Sequence, residues 1–129
     1  MKCLLDVNVL LAAIWSDHPH HEAAFEWLED KNIVLCPISE LGFLRISTNP
    51  KATINAPMAK ARDLLQRFST ERKAMRIDDD LPALESHAAT SQEVTDHYLG
   101  DLANRHGLKL ATFDSGIFHP SVVLISESA

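Results

Sequence analysis

The feature that most constrains this chain is the alternation of short apolar runs with longer segments of helical periodicity. Apolar runs lie at residues 2–5, 33–36, 74–77, 108–112 and 122–125, and amphipathic segments separate most of them. Strands that are apolar almost throughout are typical of a parallel sheet covered on both faces. The pattern therefore predicts an α/β fold around a mainly parallel sheet.

Capping residues predict where the helices begin and end. We expect Ser39 to cap the helix after the second strand and Thr95 to cap the helix before the fourth. Another helix is expected to start near Pro57, and Gly107 is expected to end the helix before the fourth strand as a left-handed cap. A weaker helix is expected through Leu84.

The size and composition are those of a single globular domain spanning residues 1–129. Hydrophobic residues make up 46% of the chain and charged residues 23%, which excludes a disordered protein. The net charge of -6 argues against a protein that coats nucleic acid through a broad basic surface. It does not exclude an acidic nuclease, because bound cations would invert the field around a cluster of acids.

Cellular location and redox state follow from the apolar runs. None approaches the roughly twenty residues that span a bilayer, and Asp6 interrupts the first run before it can serve as a signal sequence. We expect a cytoplasmic protein without membrane attachment. Cys3 and Cys36 lie inside apolar runs and are interpreted as reduced core thiols, although a disulfide between neighbouring strands stays open.

Four acidic residues occupy positions that a parallel sheet would bring to one edge. Asp6 and Asp114 directly follow apolar strands, while Glu40 and Asp96 fall in the first turns of helices. Taken singly, each acid is also explained by helix capping or the helix dipole. Together they would repel by about 4 kcal/mol for a pair ~4 Å apart at an effective dielectric of ~20, and Mg²⁺ or Mn²⁺ would remove that penalty.

The residues around these acids resemble the PIN-domain nucleases, and within them the VapC-type toxins of bacterial toxin–antitoxin pairs. The resemblance covers nearly the whole chain in the order and spacing of the family. The matching segments are LLDVNVLLA at 4–12, ISELGFLRISTNP at 38–50, VTDHYLGDLANRHG at 94–107 and LATFD at 110–114.

The resemblance implies a three-layer α/β/α sandwich with a mainly parallel five-stranded sheet. It also implies a Mg²⁺- or Mn²⁺-dependent endoribonuclease with one or two ions per site, an RNA substrate, a homodimer and inhibition by a cognate antitoxin. The residues that it assigns to catalysis and metal binding are Asp6, Glu40, Asp96 and Asp114, with Asn8 and Thr112 in supporting roles. Thr112 is expected to orient a water on the metal.

Two positions are assigned by helical geometry and charge. Asp101 competes with Asp96 for the fourth acidic position, but it lies about 140° further round the helix and is expected to face away. Arg45, just over one turn beyond Glu40, is the expected contact for an RNA phosphate.

Two other classes of function compete with this interpretation. A phosphoryl-handling α/β domain also places acids around Mg²⁺, but an Asp-nucleophile phosphatase requires a second Asp where this chain has Asn8. A receiver domain requires an Asp after its third strand, near residues 53–57, and none is present. The other alternative is a non-catalytic binding or scaffold protein on the same fold; such a protein would show no stabilisation by divalent cations.

Overall fold

In the computed structural model, which describes residues 1–86, 88–117 and 119–126, five parallel strands form one sheet. The strands are β1 (Lys2–Leu5), β2 (Asn32–Leu35), β3 (Met75–Arg76), β4 (Lys109–Thr112) and β5 (Val122–Leu124). They lie in the order β3-β2-β1-β4-β5. The expectation of a mainly parallel five-stranded sheet is therefore confirmed.

The strands are connected mainly by helices. Within the described residues these are α1 (Val7–Ile14), α2 (His21–Leu28), α3 (Pro37–Ser47), α4 (Met58–Glu71) and α5 (Val94–Arg105). Two single 3-10 turns, Ala83–Glu85 and Ser91–Glu93, precede α5.

Alternate residues of β1 enter separate cores on the two faces of the sheet. Cys3 and Leu5 belong to a buried cluster with residues of α1, α2, α3 and α4. Leu4, which lies between them, belongs to a second cluster with residues of α5. Since successive side chains of a strand point to opposite faces, the sheet is covered on both sides and the expected three layers are confirmed.

The helix starts agree with the sequence in one case and differ in two. α4 begins at Met58, directly after Pro57, as expected. The expectation that Ser39 caps α3 was wrong: the helix begins at Pro37, whose fixed φ suits a first helical position, and the buried Ser39 hydroxyl donates a hydrogen bond to the Leu5 carbonyl at 2.7 Å. Thr95 is not the cap of α5 either, because the helix already includes Val94.

The segment between β3 and α5 forms less helix than expected. Leu84 lies in a single 3-10 turn and is fully exposed, so this segment buries no apolar face that would support a longer helix. The end of α5 follows the prediction: Gly107 has φ of +69°, the left-handed conformation of a helix-terminating glycine.

Both cysteines are buried and unbonded, as the sequence indicated. Burial also raises the pKa of the Cys3 thiol, which keeps it in the less reactive thiol form. No helix in the described part of the chain has the length and apolar character needed to cross a membrane.

Candidate active site

The candidate site lies at the carboxyl edge of the sheet, where β1 and β4 are neighbours. The chain builds β2 and β3 on one side of β1 and returns to place β4 on the other side. In parallel sheets such a reversal opens a crevice beyond the strand ends. Asp6 directly follows β1 and Asp114 follows β4 by two residues, so both acids lie at this crevice.

Asp6 is held rigidly at the start of α1. Asp6 is buried, with only 5% of its surface exposed. One carboxylate oxygen accepts a hydrogen bond from the Val7 N–H at 2.8 Å, and the other accepts one from the Thr112 hydroxyl at 2.7 Å. Burial raises the pKa of Asp6 and the charge of Asp114 adds to that effect, while these two hydrogen bonds oppose it.

Thr112 is the centre of a hydrogen-bond network that joins β1 to β4. Its hydroxyl donates to Asp6 and accepts from the Asn8 amide at 3.3 Å and from the Asp114 N–H at 3.0 Å. Asn8 in turn accepts a hydrogen bond from the Phe113 N–H at 3.3 Å. Because the single hydroxyl hydrogen is given to Asp6, Thr112 orients that carboxylate in this arrangement and has no hydrogen left for a water.

Asp96, in the first turn of α5, is electrostatically coupled to the other acids. Desolvation raises the pKa of its carboxyl to about 6, and the charges of Asp6 and Asp114 contribute to the increase. Asp114 itself is exposed and accepts a hydrogen bond from the Gly116 N–H at 2.8 Å. Three acids from separate segments therefore influence one another at this edge.

Glu40 is at the same edge but is paired with a residue that the sequence analysis did not select. Arg76, the last residue of β3, donates from Nε at 3.2 Å and from Nη2 at 3.0 Å to one Glu40 oxygen. Arg76 lies inside the short run at residues 74–77, and no pattern in that run marks it as a partner of Glu40.

The remaining two candidates are in other surroundings. Asp101 accepts a hydrogen bond from His119, at 2.7 Å between Oδ1 and Nε2, since Nδ1 of that ring already accepts from the Ser121 N–H. Arg45 is exposed and lines a depression of about 500 Å³ with Arg62, and none of the four acids lines that depression.

The chemistry of the donor set suits a hard divalent cation. The four acids offer only carboxylate oxygens, the ligands preferred by Mg²⁺ and Mn²⁺. Desolvation is the main cause of the raised pKa of Asp96, and a cation would relieve the smaller contribution from the charges of Asp6 and Asp114. In their present positions, no three Asp, Glu, His or Cys side chains of the described residues form a group that could hold a metal ion together. Glu40 is held by Arg76, so it has to turn from the guanidinium to join the other acids.

The raised pKa of Asp96 predicts how stability depends on pH in protein kept in EDTA. The folded-state pKa of about 6 lies above the ordinary value of 3.8, so between these values the folded state binds more protons than the unfolded state. The contribution of Asp96 to the free energy of unfolding should therefore fall as the pH rises from about 4 to about 6. Thermal melts should show that the stability of the wild type relative to Asp96→Asn declines over this range.

The control is Asp30→Asn. Hydrogen bonding to Lys31 lowers the pKa of the Asp30 carboxyl, so its removal cannot take away a slope of this sign. The same pH dependence in Asp96→Asn and the wild type would contradict a raised pKa for Asp96.

The fold and the acids at the carboxyl edge define a PIN domain. The family model described as the PIN domain matches residues 3–121, so the chain belongs to the PIN-domain family. This confirms the family resemblance that the four sequence segments indicated, and it removes the receiver and phosphatase classes from consideration.

Comparison with individual proteins narrows the position within that family. The chain is 40% identical to Ribonuclease VapC38 of Mycobacterium tuberculosis over 128 residues, covering 89% of this chain and 86% of the relative. It is 35% identical to Ribonuclease VapC44 of the same species over 126 residues, covering 91% and 89%. Within the PIN-domain family it therefore groups with the VapC ribonucleases.

A solved structure shares the fold. It is described as VapBC2 from Rickettsia felis bound to a DNA fragment from their promoter, and it matches 96% of this chain and 97% of its own with a TM-score of 0.63 at 17% identity.

Proposed function

We propose that this chain is a divalent-cation-dependent endoribonuclease and the toxin of a type II toxin–antitoxin system. The observation that carries the proposal is the hydrogen-bond network through Thr112, which joins Asp6 to Asp114 at the switch between β1 and β4. The raised pKa of Asp96, caused first by desolvation and then by the charges of these two acids, supports it, because enzymes concentrate perturbed carboxyls at functional sites. The relatives named as ribonucleases support RNA as the substrate class.

Asp6, Glu40, Asp96 and Asp114 would hold one or two Mg²⁺ or Mn²⁺ ions. When bound, the cation neutralises the acids, polarises the phosphodiester and lowers the pKa of the attacking water. The chain's own contribution is to fix Asp6 and Asp114 in advance. Asp6 receives one hydrogen bond on each oxygen and keeps further lone pairs on both for a ligand.

The support around Asp6 also positions Asp114. The Thr112 hydroxyl bonds to the Asp6 carboxylate and to the Asp114 N–H, so it fixes the end of β1 relative to the segment after β4. Asn8 contacts the same hydroxyl from the first turn of α1. This arrangement orients two of the acids without requiring reorganisation when substrate arrives, which is the part of catalysis that a protein scaffold supplies.

The proposal is tested by incubating the purified protein, free of antitoxin, with total cellular RNA. We expect discrete cuts in Mg²⁺ or Mn²⁺ and none in EDTA, and sequencing of the new 5′ ends would identify the target. Absence of cleavage together with absence of thermal stabilisation by either cation would favour the scaffold alternative.

A cognate antitoxin and a second copy of the chain are the proposed protein partners, and the cytoplasm is the proposed location. A groove of about 800 Å³ next to α1 and α3 supports the antitoxin proposal, because its lining includes the apolar side chains Leu11, Trp15 and Ile46. The exposed apolar side chains Leu41 and Met58 offer α3 and α4 as a surface for the homodimer.

A further inference from the structure

Arg76 is placed where an RNA backbone approaching the acids would pass. It is the last residue of β3 and pairs in register with Leu35 of β2, the strand next to β1. Its guanidinium therefore lies at the same edge of the sheet as Asp6 and Asp114. Half of its side chain is exposed, compared with 20% for its partner Glu40.

The ion pair between Arg76 and Glu40 is of a kind that exchanges readily. Both donated hydrogen bonds converge on a single Glu40 oxygen, at 3.2 and 3.0 Å, so the two-oxygen geometry of the strongest Arg–carboxylate pairs is not used. Pairs with this much exposure contribute little to stability. A phosphate offers the guanidinium two oxygens in a matching plane. Exchanging the Glu40 carboxylate for a phosphate would therefore give two well-oriented hydrogen bonds at little loss of stability.

The negative charge at this edge of the sheet also requires a basic side chain to bind the RNA phosphodiester. The four acids carry negative charge at an edge that has to accept a negatively charged phosphodiester, and the whole chain has a net charge of -6. Among the ion pairs of the described residues, the one between Arg76 and Glu40 is the only one that joins a basic side chain to any of these acids.

We propose that Arg76 is a substrate-binding residue that leaves Glu40 to contact a backbone phosphate of the RNA. The proposal rests on the proposed ribonuclease function and assigns to Arg76 the role that the sequence suggested for Arg45. Departure of Arg76 also frees the Glu40 carboxylate, so RNA entry and completion of the acidic site are coupled through one side chain.

The test measures RNA binding in EDTA, where cleavage does not interfere. A fluorescein-labelled pool of single-stranded RNA oligonucleotides of mixed sequence is titrated with the full chain, and the dissociation constant is followed by anisotropy at several salt concentrations. Arg76→Ala should weaken binding by roughly tenfold, as loss of a charged hydrogen-bonding partner implies. It should also reduce the slope of log affinity against log salt by about 0.7, the value for one phosphate contact on a single strand.

The matched control is Arg67→Ala. Arg67 forms an exposed ion pair with Asp63 at 3.0 Å on α4, so its removal changes the net charge by the same amount. Arg76→Lys, which keeps the charge but not the planar fork, should retain the salt slope and recover part of the affinity. Equal binding by Arg76→Ala and wild type, or equal weakening by Arg67→Ala, would overturn the inference alone. Failure of the wild type to bind RNA in EDTA would also overturn the inference, and the proposed function falls with it only if Mg²⁺ and Mn²⁺ support no cleavage of total cellular RNA.

Discussion

Replacing Asp6 with Asn is expected to lower the rate of RNA cleavage by about 100-fold or more and to leave the fold intact. Removing a carboxylate that holds a catalytic cation costs several kcal/mol of transition-state stabilisation, and about 3 kcal/mol corresponds to that factor. An Asn oxygen can accept only one of the two hydrogen bonds that Asp6 accepts, from Thr112 or from the Val7 N–H. The fold should survive this loss, because the variant no longer buries a carboxyl whose pKa is raised by desolvation. Initial cleavage rates and thermal melts, each with and without Mg²⁺, measure both effects.

The matched control for this prediction is Asp101→Asn. Asp101 accepts a hydrogen bond from His119, and an Asn oxygen can accept the same bond, so the rate should change little. Asp96→Asn, like Asp6→Asn, should lose RNA cleavage. A variant pair in which Asp101→Asn is inactive and Asp96→Asn is active would reverse the assignment of the fourth acid.

The parts of the site that the sequence predicts are those that follow directly from strand ends. Asp6 directly follows an apolar strand. In any parallel sheet, a residue that follows a strand in this way lies at the carboxyl edge. The positions of Glu40 and Asp96 in the first turns of helices made them candidates, although capping and the helix dipole explain such acids equally well. The family resemblance joined the four acids into one site and added Asn8 and Thr112, whose local patterns are those of ordinary helix and strand residues.

The parts that the sequence does not predict depend on contacts between distant segments. Arg76 comes from a strand of two exposed residues, so no apolar alternation marks it, and its partner is 36 positions away. Ser39 has the pattern of a helix cap, yet its hydroxyl donates across 34 positions to Leu5. For Ser39, local propensity favours a nearby backbone partner, whereas tertiary packing selected a distant one.

Truncating Phe43 to Ala should destabilise the protein by about 3–5 kcal/mol, the usual cost of removing a buried aromatic ring. Phe43 is fully buried on α3, three residues after Glu40, and stacks on Trp15 with ring centroids 6.2 Å apart. Since small domains have a free energy of unfolding of about 5–15 kcal/mol, this loss consumes a large share of it. Urea denaturation of the two proteins measures the difference directly.

Phe25→Ala is the matched control for Phe43→Ala, because it makes the same chemical change at a residue that is 54% exposed on α2. Its cost should be about 1 kcal/mol or less, since an exposed ring leaves no cavity. Equal losses in the two variants would contradict the assignment of Phe43 to the core that supports α3. Cleavage distinguishes a purely structural role of Phe43 from a positioning role. A purely structural role predicts that the activity of Phe43→Ala falls in proportion to the unfolded fraction and recovers on cooling. Loss of activity in fully folded Phe43→Ala would show that this packing also positions Glu40.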